Sequence, residues 1–187
     1  MGRWEPNARG RLEQAAFDLF AERGFDQTTV AEIAERAGLT KRSLFRHFAD
    51  KRDILFAGAE RLQDVVTESV AAAPPDSSPL AAVRAGLAAA TELIAERGPS
   101  VVARQAILDA NPELRERELM KMARLAAGIA EALRARGVAD RTASLTADTG
   151  VAAFKVAFEY WVLDTEQDLA RAVEDTLAEL KAIVAEG

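Results

Sequence analysis

Three observations predict an all-α protein. Apolar residues recur at spacings of three and four through most of the chain. No segment alternates with a period of two. The breaks between periodic segments carry Gly, Pro, Asn or Asp. The expected architecture is a three-helix, helix-turn-helix module within residues 1–52, followed by longer helices over residues 53–187, about nine helices in all.

The elements follow in order. Asn7 to Gly24 is an amphipathic helix with Leu12, Ala16, Leu19 and Phe20 on one side, and Phe25 follows its glycine stop. Thr29-Val30-Ala31-Glu32 is a capping box, in which the threonine hydroxyl takes the Glu32 N–H and the carboxylate reaches back. Val30, Ile33, Ala34 and Ala37 then form one apolar face, and Gly38 ends the helix where a left-handed residue is wanted. Thr40 caps the next helix, on which Leu44 and Phe48 share the core-facing side. Asp50 caps a fourth helix, read as continuous to about Ala72 through Ile54, Leu55, Ala59, Leu62, Val65 and Val66. The Pro74-Pro75-Asp76-Ser77-Ser78-Pro79 segment is a loop. Further helices are expected at about 80–97, 100–110, 112–136, 141–164 and 167–185, with stops at Gly98-Pro99, Asn111-Pro112, Gly137 and Asp164-Thr165. Pro112 sits in a first turn behind Asn111 as cap.

Composition narrows the function. A chain of 187 residues with 49% hydrophobic residues can bury a sizeable core in one or two domains. It has no cysteine, hence no disulfide and no thiolate metal site. The N-terminal MGRWEPNARGR contains no apolar run, and no stretch of about 18 apolar residues occurs, so neither a signal peptide nor a membrane span is expected. That fits the cytoplasm. The single histidine, His47, rules out multi-histidine metal sites and most histidine-based catalysis, and no glycine loop cradles phosphate. The sequence reads as a non-enzyme without cofactor or metal.

Charge is unevenly distributed. The net charge is −6, yet residues 1–52 hold ten Lys/Arg against eight Asp/Glu, while the remainder holds fourteen against twenty-two. Between Arg36 and Arg52 six cations face one anion, Asp50. Lys41, Arg42, Phe45 and Arg46 fall on the side of the second short helix away from Leu44 and Phe48, flanked by Ser43 and His47. Cations, a hydroxyl and an aromatic on one exposed helix suit phosphates and base edges in a major groove. The alternative is a helical hairpin with a solvated basic face, as in a scaffold protein.

The order and spacing of Gly24-Phe25, Thr28-Thr29-Val30, Ile33-Ala34, Ala37-Gly38, Leu39-Thr40, Ser43-Leu44-Phe45, His47-Phe48 and Lys51 resemble, without a gap, the tetracycline-repressor (TetR) family of bacterial one-component regulators. The likeness covers roughly the first 55 residues. One departure is Phe45, where the family often has Tyr: the ring can still pack on sugar or a thymine methyl, but lacks a hydroxyl for phosphate. Residues and resemblance together assign DNA contact to Thr28, Thr29, Thr40, Lys41, Arg42, Ser43, Phe45, Arg46, His47 and Lys51, with Lys51 on a phosphate.

The resemblance also implies a homodimer through the last two helices, and a small-molecule effector pocket among the preceding ones. Leu169, Val173, Leu177, Leu180 and Val184 form a stripe on the last helix. On the helix before it, Leu145, Thr149, Ala152, Ala153 and Val156 form a face with small residues that permit close approach. The expected interface is Ala152, Ala153, Val156, Leu169, Val173, Leu177, Leu180 and Val184; the alternative is that both stripes serve the subunit's own core. Phe154, Phe158 and Trp161 share a helical face, as core or as pocket lining. The candidate pocket set is Leu62, Val66, Arg104, Leu108, Met120, Phe154, Phe158 and Trp161, suited to a largely apolar effector, with Gln105 and Glu159 as further polar candidates. The expectation is a dimeric repressor released from double-stranded operator DNA by such an effector. The proposed lever is the helix beginning at Asp50.

Overall fold

The computed structural model describes residues 7–98 and 100–185. Residues 1–6, with most of the N-terminal segment for which no signal peptide is expected, and Pro99, part of an expected stop, lie outside the described residues. Among the described residues the fold is entirely helical: α1 Ala8–Arg23, α2 Val30–Arg36, α3 Lys41–Phe45, α4 Lys51–Leu55, α5 Ala59–Ala72, α6 Pro79–Ala95, α7 Ser100–Ala110, α8 Pro112–Ala135, α9 Asp140–Leu163 and α10 Leu169–Ala185.

There is one helix more than expected, because the segment read as continuous from Asp50 to Ala72 breaks. Gly58 has φ 82°, a left-handed conformation that ends α4's trailing turn. Phe56 and Ala57 donate to Asp53 and Ile54, three residues back, which tightens that turn before the break. Apolar spacing runs through Ile54, Leu55 and Ala59 without interruption, so periodicity alone could not show it.

The chain forms two compact units. The first takes the described residues up to Gly58 together with Ser100–Arg115, and the second takes Ala59–Gly98 and the described residues from Glu116 onward. A division after residue 52 therefore leaves out parts of the first unit. Ile54, Leu55 and Phe56 belong to its core, and so do Leu108 of α7 and Leu114 at the start of α8. They pack with Leu12, Leu19 and Phe20 of α1, Ile33 of α2 and Leu44 of α3. Arg104 of α7 donates from Nε to the Leu55 carbonyl at 2.6 Å and lies over the Phe56 ring. Asn111 turns its side chain back to the Ile107 carbonyl at 2.7 Å, so the residue expected to cap α8 uses its amide on α7 instead.

The second unit is built on Val66 and Val70 of α5, Val83 and Leu87 of α6, Ile129 and Leu133 of α8, Ala147 and Phe154 of α9, and Leu169, Val173 and Leu177 of α10. α5 and α6 meet closely at Gly86: a Cβ there would lie 2.9 Å from the Val66 carbonyl oxygen and 2.8 Å from a Val70 methyl. The carbonyls at and just beyond the end of α5 are held by Arg136, whose guanidinium donates to Ala71, Ala73 and Pro74.

Candidate functional site

The helix-turn-helix is fixed from both ends. Thr29 and Glu32 form the full capping box, with Thr29 N donating to the carboxylate at 2.9 Å and Glu32 N donating to the hydroxyl at 3.3 Å. The bond from the Thr29 main chain, followed by one that the Thr29 hydroxyl donates to the same carboxylate, holds the Glu32 carboxyl below the ordinary carboxylate range. α2 ends in a Schellman turn: Gly38 N donates to Glu35 and Leu39 N to Ala34, with Gly38 left-handed at φ 66°. Arg11 of α1 reaches the Ala37 carbonyl at the same turn. α2 is further joined to α1 by a two-pronged Arg36–Glu22 pair at 2.8 Å and an Arg23–Glu32 pair at 2.8 Å. The Arg36 bonds hold the Glu22 carboxyl low as well.

α3 then begins at Thr40, whose hydroxyl accepts from Ser43 N at 3.1 Å. Leu44 is fully buried and Phe48 nearly so, while Lys41, Arg42, Phe45, Arg46 and His47 are exposed. Phe45 is 53% exposed, an unusual solvent position for a large aromatic on a short helix. Among the described residues Lys41, Arg42 and Arg46 take no ion-pair partner, whereas Arg23 and Arg36 nearby are spent on glutamates. Lys41 and Arg42 on α3 and Arg46 at its C-cap thus carry their charge outward without an acidic partner. Arg9 of α1, not anticipated from the sequence, adds a guanidinium 5.3 Å from the Phe48 ring centroid and pairs with Glu13.

Two residues assigned to DNA contact are placed elsewhere. Thr28 is 1% exposed, and its hydroxyl donates to the Leu19 and Gly24 carbonyls, where it ties the α1–α2 connection. Lys51 turns inward, its ammonium donating to the carbonyls of Phe25, Asp26 and Thr28. Burial pushes its pKa down, against the opposing field of Asp26. Both residues occupy positions in the sequence pattern that carry no mark of whether a side chain points in or out. The hydroxyls of Thr29 and Thr40 stay at the surface but serve as helix caps, and Ser43 is half-buried beside Thr40.

In the second unit, the aromatic face of α9 forms a ladder. Phe154 and Phe158 lie 6.2 Å apart and Phe158 and Trp161 5.7 Å apart. Phe154 is buried, and the other two pack half-buried against the core. Trp161 Nε1 donates to the Gln167 carbonyl at 3.0 Å. Val66 is fully buried in that same core. Leu62 lines a small cleft of about 60 Å³ with Ala59, Glu60, Gln63, Lys121, Arg124 and Leu125. The candidate pocket set is divided between the two units. Leu108 and Arg104 are structural members of the first unit, and Met120 is 54% exposed. Helical spacing placed them on plausible faces but gave no information about which unit each face belongs to.

The candidate interface residues also divide. Ala153, Leu169, Val173 and Leu177 are buried in the subunit's own core. Ala152, Val156 and Val184 are exposed, and Leu180 is half-buried. The apolar stripe left at the surface is Leu145, Ala152, Val156, Tyr160 and Leu163 on α9, with Ile183 and Val184 on α10. Tyr160, Leu163 and Ile183 were missed. Continuing the Leu145–Val156 face by four and three residues would have found the first two.

Residues 13–57 match the family model described as bacterial regulatory proteins, tetR family. Over these residues the chain is similar to that family. The relatives that it matches are transcriptional regulators. The similarity extends beyond the DNA-binding segment. The regulator TcmR of Streptomyces glaucescens is 26% identical over 171 residues, spanning 86% of this chain and 76% of TcmR. Among solved structures, Thermus thermophilus FadR in complex with lauroyl-CoA shares the fold at TM-score 0.59, with 24% identity and 91% of each chain covered. SmeT of Stenotrophomonas maltophilia in its triclosan complex does so at TM-score 0.63, with 22% identity and coverage of 92% of this chain and 90% of that one. None of the described helices is long and apolar enough to cross a membrane.

Proposed function

We infer that this chain is a dimeric repressor of the TetR family, in the cytoplasm, that leaves operator DNA when a small, largely apolar effector binds. The observation that carries the reading is α3 with its C-cap Arg46: three cations without an acidic partner and an exposed phenylalanine, on a short helix anchored by Leu44. Lys41, Arg42 and Arg46 with Phe45 supply phosphate contact, base-edge readout and thymine-methyl packing. The first unit is the DNA-binding domain and the second senses and dimerises.

Dimerisation is supported by the large apolar residues left exposed on α9 and α10, since exposed apolar surface of this kind marks association sites. Two α3 helices held about 34–36 Å apart enter successive major grooves, so an effector that resets their separation abolishes simultaneous docking. The apolar character of the effector is supported by the Phe154–Phe158–Trp161 ladder. The lauroyl chain and the triclosan bound by the two structural neighbours are apolar as well.

Selection of genomic fragments by the purified protein, followed by salt-titrated binding to the recovered DNA, tests the reading. Sequence-selective, salt-sensitive binding by a dimer is expected. Effector screening by Trp161 fluorescence in a Trp4→Phe background then seeks compounds that both shift the emission and release the DNA. A chain that binds every duplex alike, or none, would show that the basic face of α3 is only solvated surface.

A further inference from the structure

Lys51 opens α4, yet its ammonium is half-buried and aimed at the connection between α1 and α2. Nζ donates to the carbonyl oxygens of Phe25 at 2.6 Å, Thr28 at 3.0 Å and Asp26 at 3.1 Å. An ammonium has three N–H donors, so three acceptors use the whole set. The nitrogen also lies 4.4 Å from the centre of the Phe25 ring, and that ring is buried 5.1 Å from Phe20. The clamped segment runs directly into Thr29, the cap that starts α2. Thr28 is tied back to α1 from the other side by its hydroxyl.

We propose that Lys51 is a positioning residue for DNA recognition: it clamps the α1–α2 connection onto α4, and so fixes where α2, and α3 beyond the Gly38 turn, are presented to the duplex. The proposal rests on the DNA-binding reading above and replaces the phosphate contact that the family resemblance implied for this residue. The two roles differ in a measurable way. A cation that neutralises a phosphate releases about 0.9 counterion on duplex DNA and steepens the salt dependence accordingly. A cation whose donors are all used inside the protein does not.

The test uses the full chain with Lys51→Met and Lys51→Arg. Each is titrated against a genomic fragment selected by the parent and against a random-sequence duplex of equal length, over a salt series well below its melting midpoint. Lys51→Met is expected to lower affinity for the selected fragment about tenfold, the loss of roughly one base contact, while affinity for random duplex and both salt slopes stay at the parent's values. Lys51→Arg is expected to fall with it, because a planar fork cannot converge on three carbonyls as a point ammonium does. Amide exchange at Thr29 and Val30 should quicken in both variants. A slope flattened by about one unit on both DNAs, or full affinity in Lys51→Arg, would make Lys51 a phosphate contact and overturn the proposal. A lowered melting midpoint with unchanged preference for the selected fragment would reduce it to a stability residue. Should the parent bind no duplex in a salt-dependent way, the DNA-binding reading itself falls, and this inference with it.

Discussion

Leu44 is the only buried residue within α3, and it is wholly inaccessible to solvent. A helix of five residues has no stability of its own, since a first turn fixes several dihedral angles for one hydrogen bond. The placement of α3 therefore depends on that leucine, with Phe48 just beyond the helix. Leu44→Ala should cost about 2–5 kcal/mol, the lost transfer of the side chain plus the cavity left among rigid neighbours. For a unit of this size, each kcal/mol moves the melting midpoint about 4–8 °C, so a drop on the order of 10–30 °C is expected. A loss of 3 kcal/mol lowers the folding constant about a hundredfold. Leu44→Met, close in volume, should cost less than about 1.5 kcal/mol and keep operator binding. Circular dichroism melts, paired with operator titration well below the midpoint, measure both effects. A Leu44→Ala protein with the parent's midpoint and the parent's operator affinity would refute the claim that one leucine seats the recognition helix.

Other outcomes follow from the same geometry. Arg42→Ala and Arg46→Ala should leave the melting midpoint unchanged; if either reads a guanine, operator affinity falls by about 1–3 kcal/mol at one position per half-site, and operator titration showing parental affinity for both would remove them from the interface. Tyr160→Glu with Leu163→Glu should give a folded monomer by sedimentation, whereas Leu177→Glu, at 3% exposure, should simply unfold the second unit; a dimeric Tyr160/Leu163 variant would move the interface elsewhere. The Glu22 and Glu32 carboxyls are held low in the folded chain, chiefly by Arg36 and the Thr29 main chain respectively, so their contribution is present above the ordinary value of 4.5 and is lost as pH falls through the lowered folded values. Acid titration of the Glu22→Gln/Glu32→Gln protein should accordingly show a shallower loss of stability than the parent over that window, and identical curves would contradict the assignment.

The sequence carried the local rules well. Thr29, Glu32, Gly38 and Thr40 announce their caps because capping depends on neighbours three or four residues away, and the separation of Leu44 from Arg42 and Arg46 follows from helical spacing alone. It did less well where the outcome depended on distant partners. Thr28 and Lys51 are polar residues beside a basic helix, and nothing local shows that carbonyls of the α1–α2 connection claim them. The stripe on α10 illustrates the same limit. Leu169, Val173 and Leu177 form a sound apolar face, but periodicity does not say whether a face meets its own chain or another copy. Leu108 and Arg104 went to the wrong candidate set because α7 joins a unit far from it in sequence.

That membership of α7 bears on how such regulators can be recombined. The first unit is discontinuous: the chain leaves it at Gly58, builds α5 and α6, and comes back to contribute Leu108, Leu114 and Arg104 before leaving again. A graft of the first 58 residues onto a foreign sensor would carry the recognition helix but leave the Leu55 carbonyl without its arginine and the core without two leucines. Exchange of specificity between relatives therefore works at two scales. The α3 surface can be swapped residue by residue with no effect on the rest, whereas the whole reading head travels intact only with a matching α7.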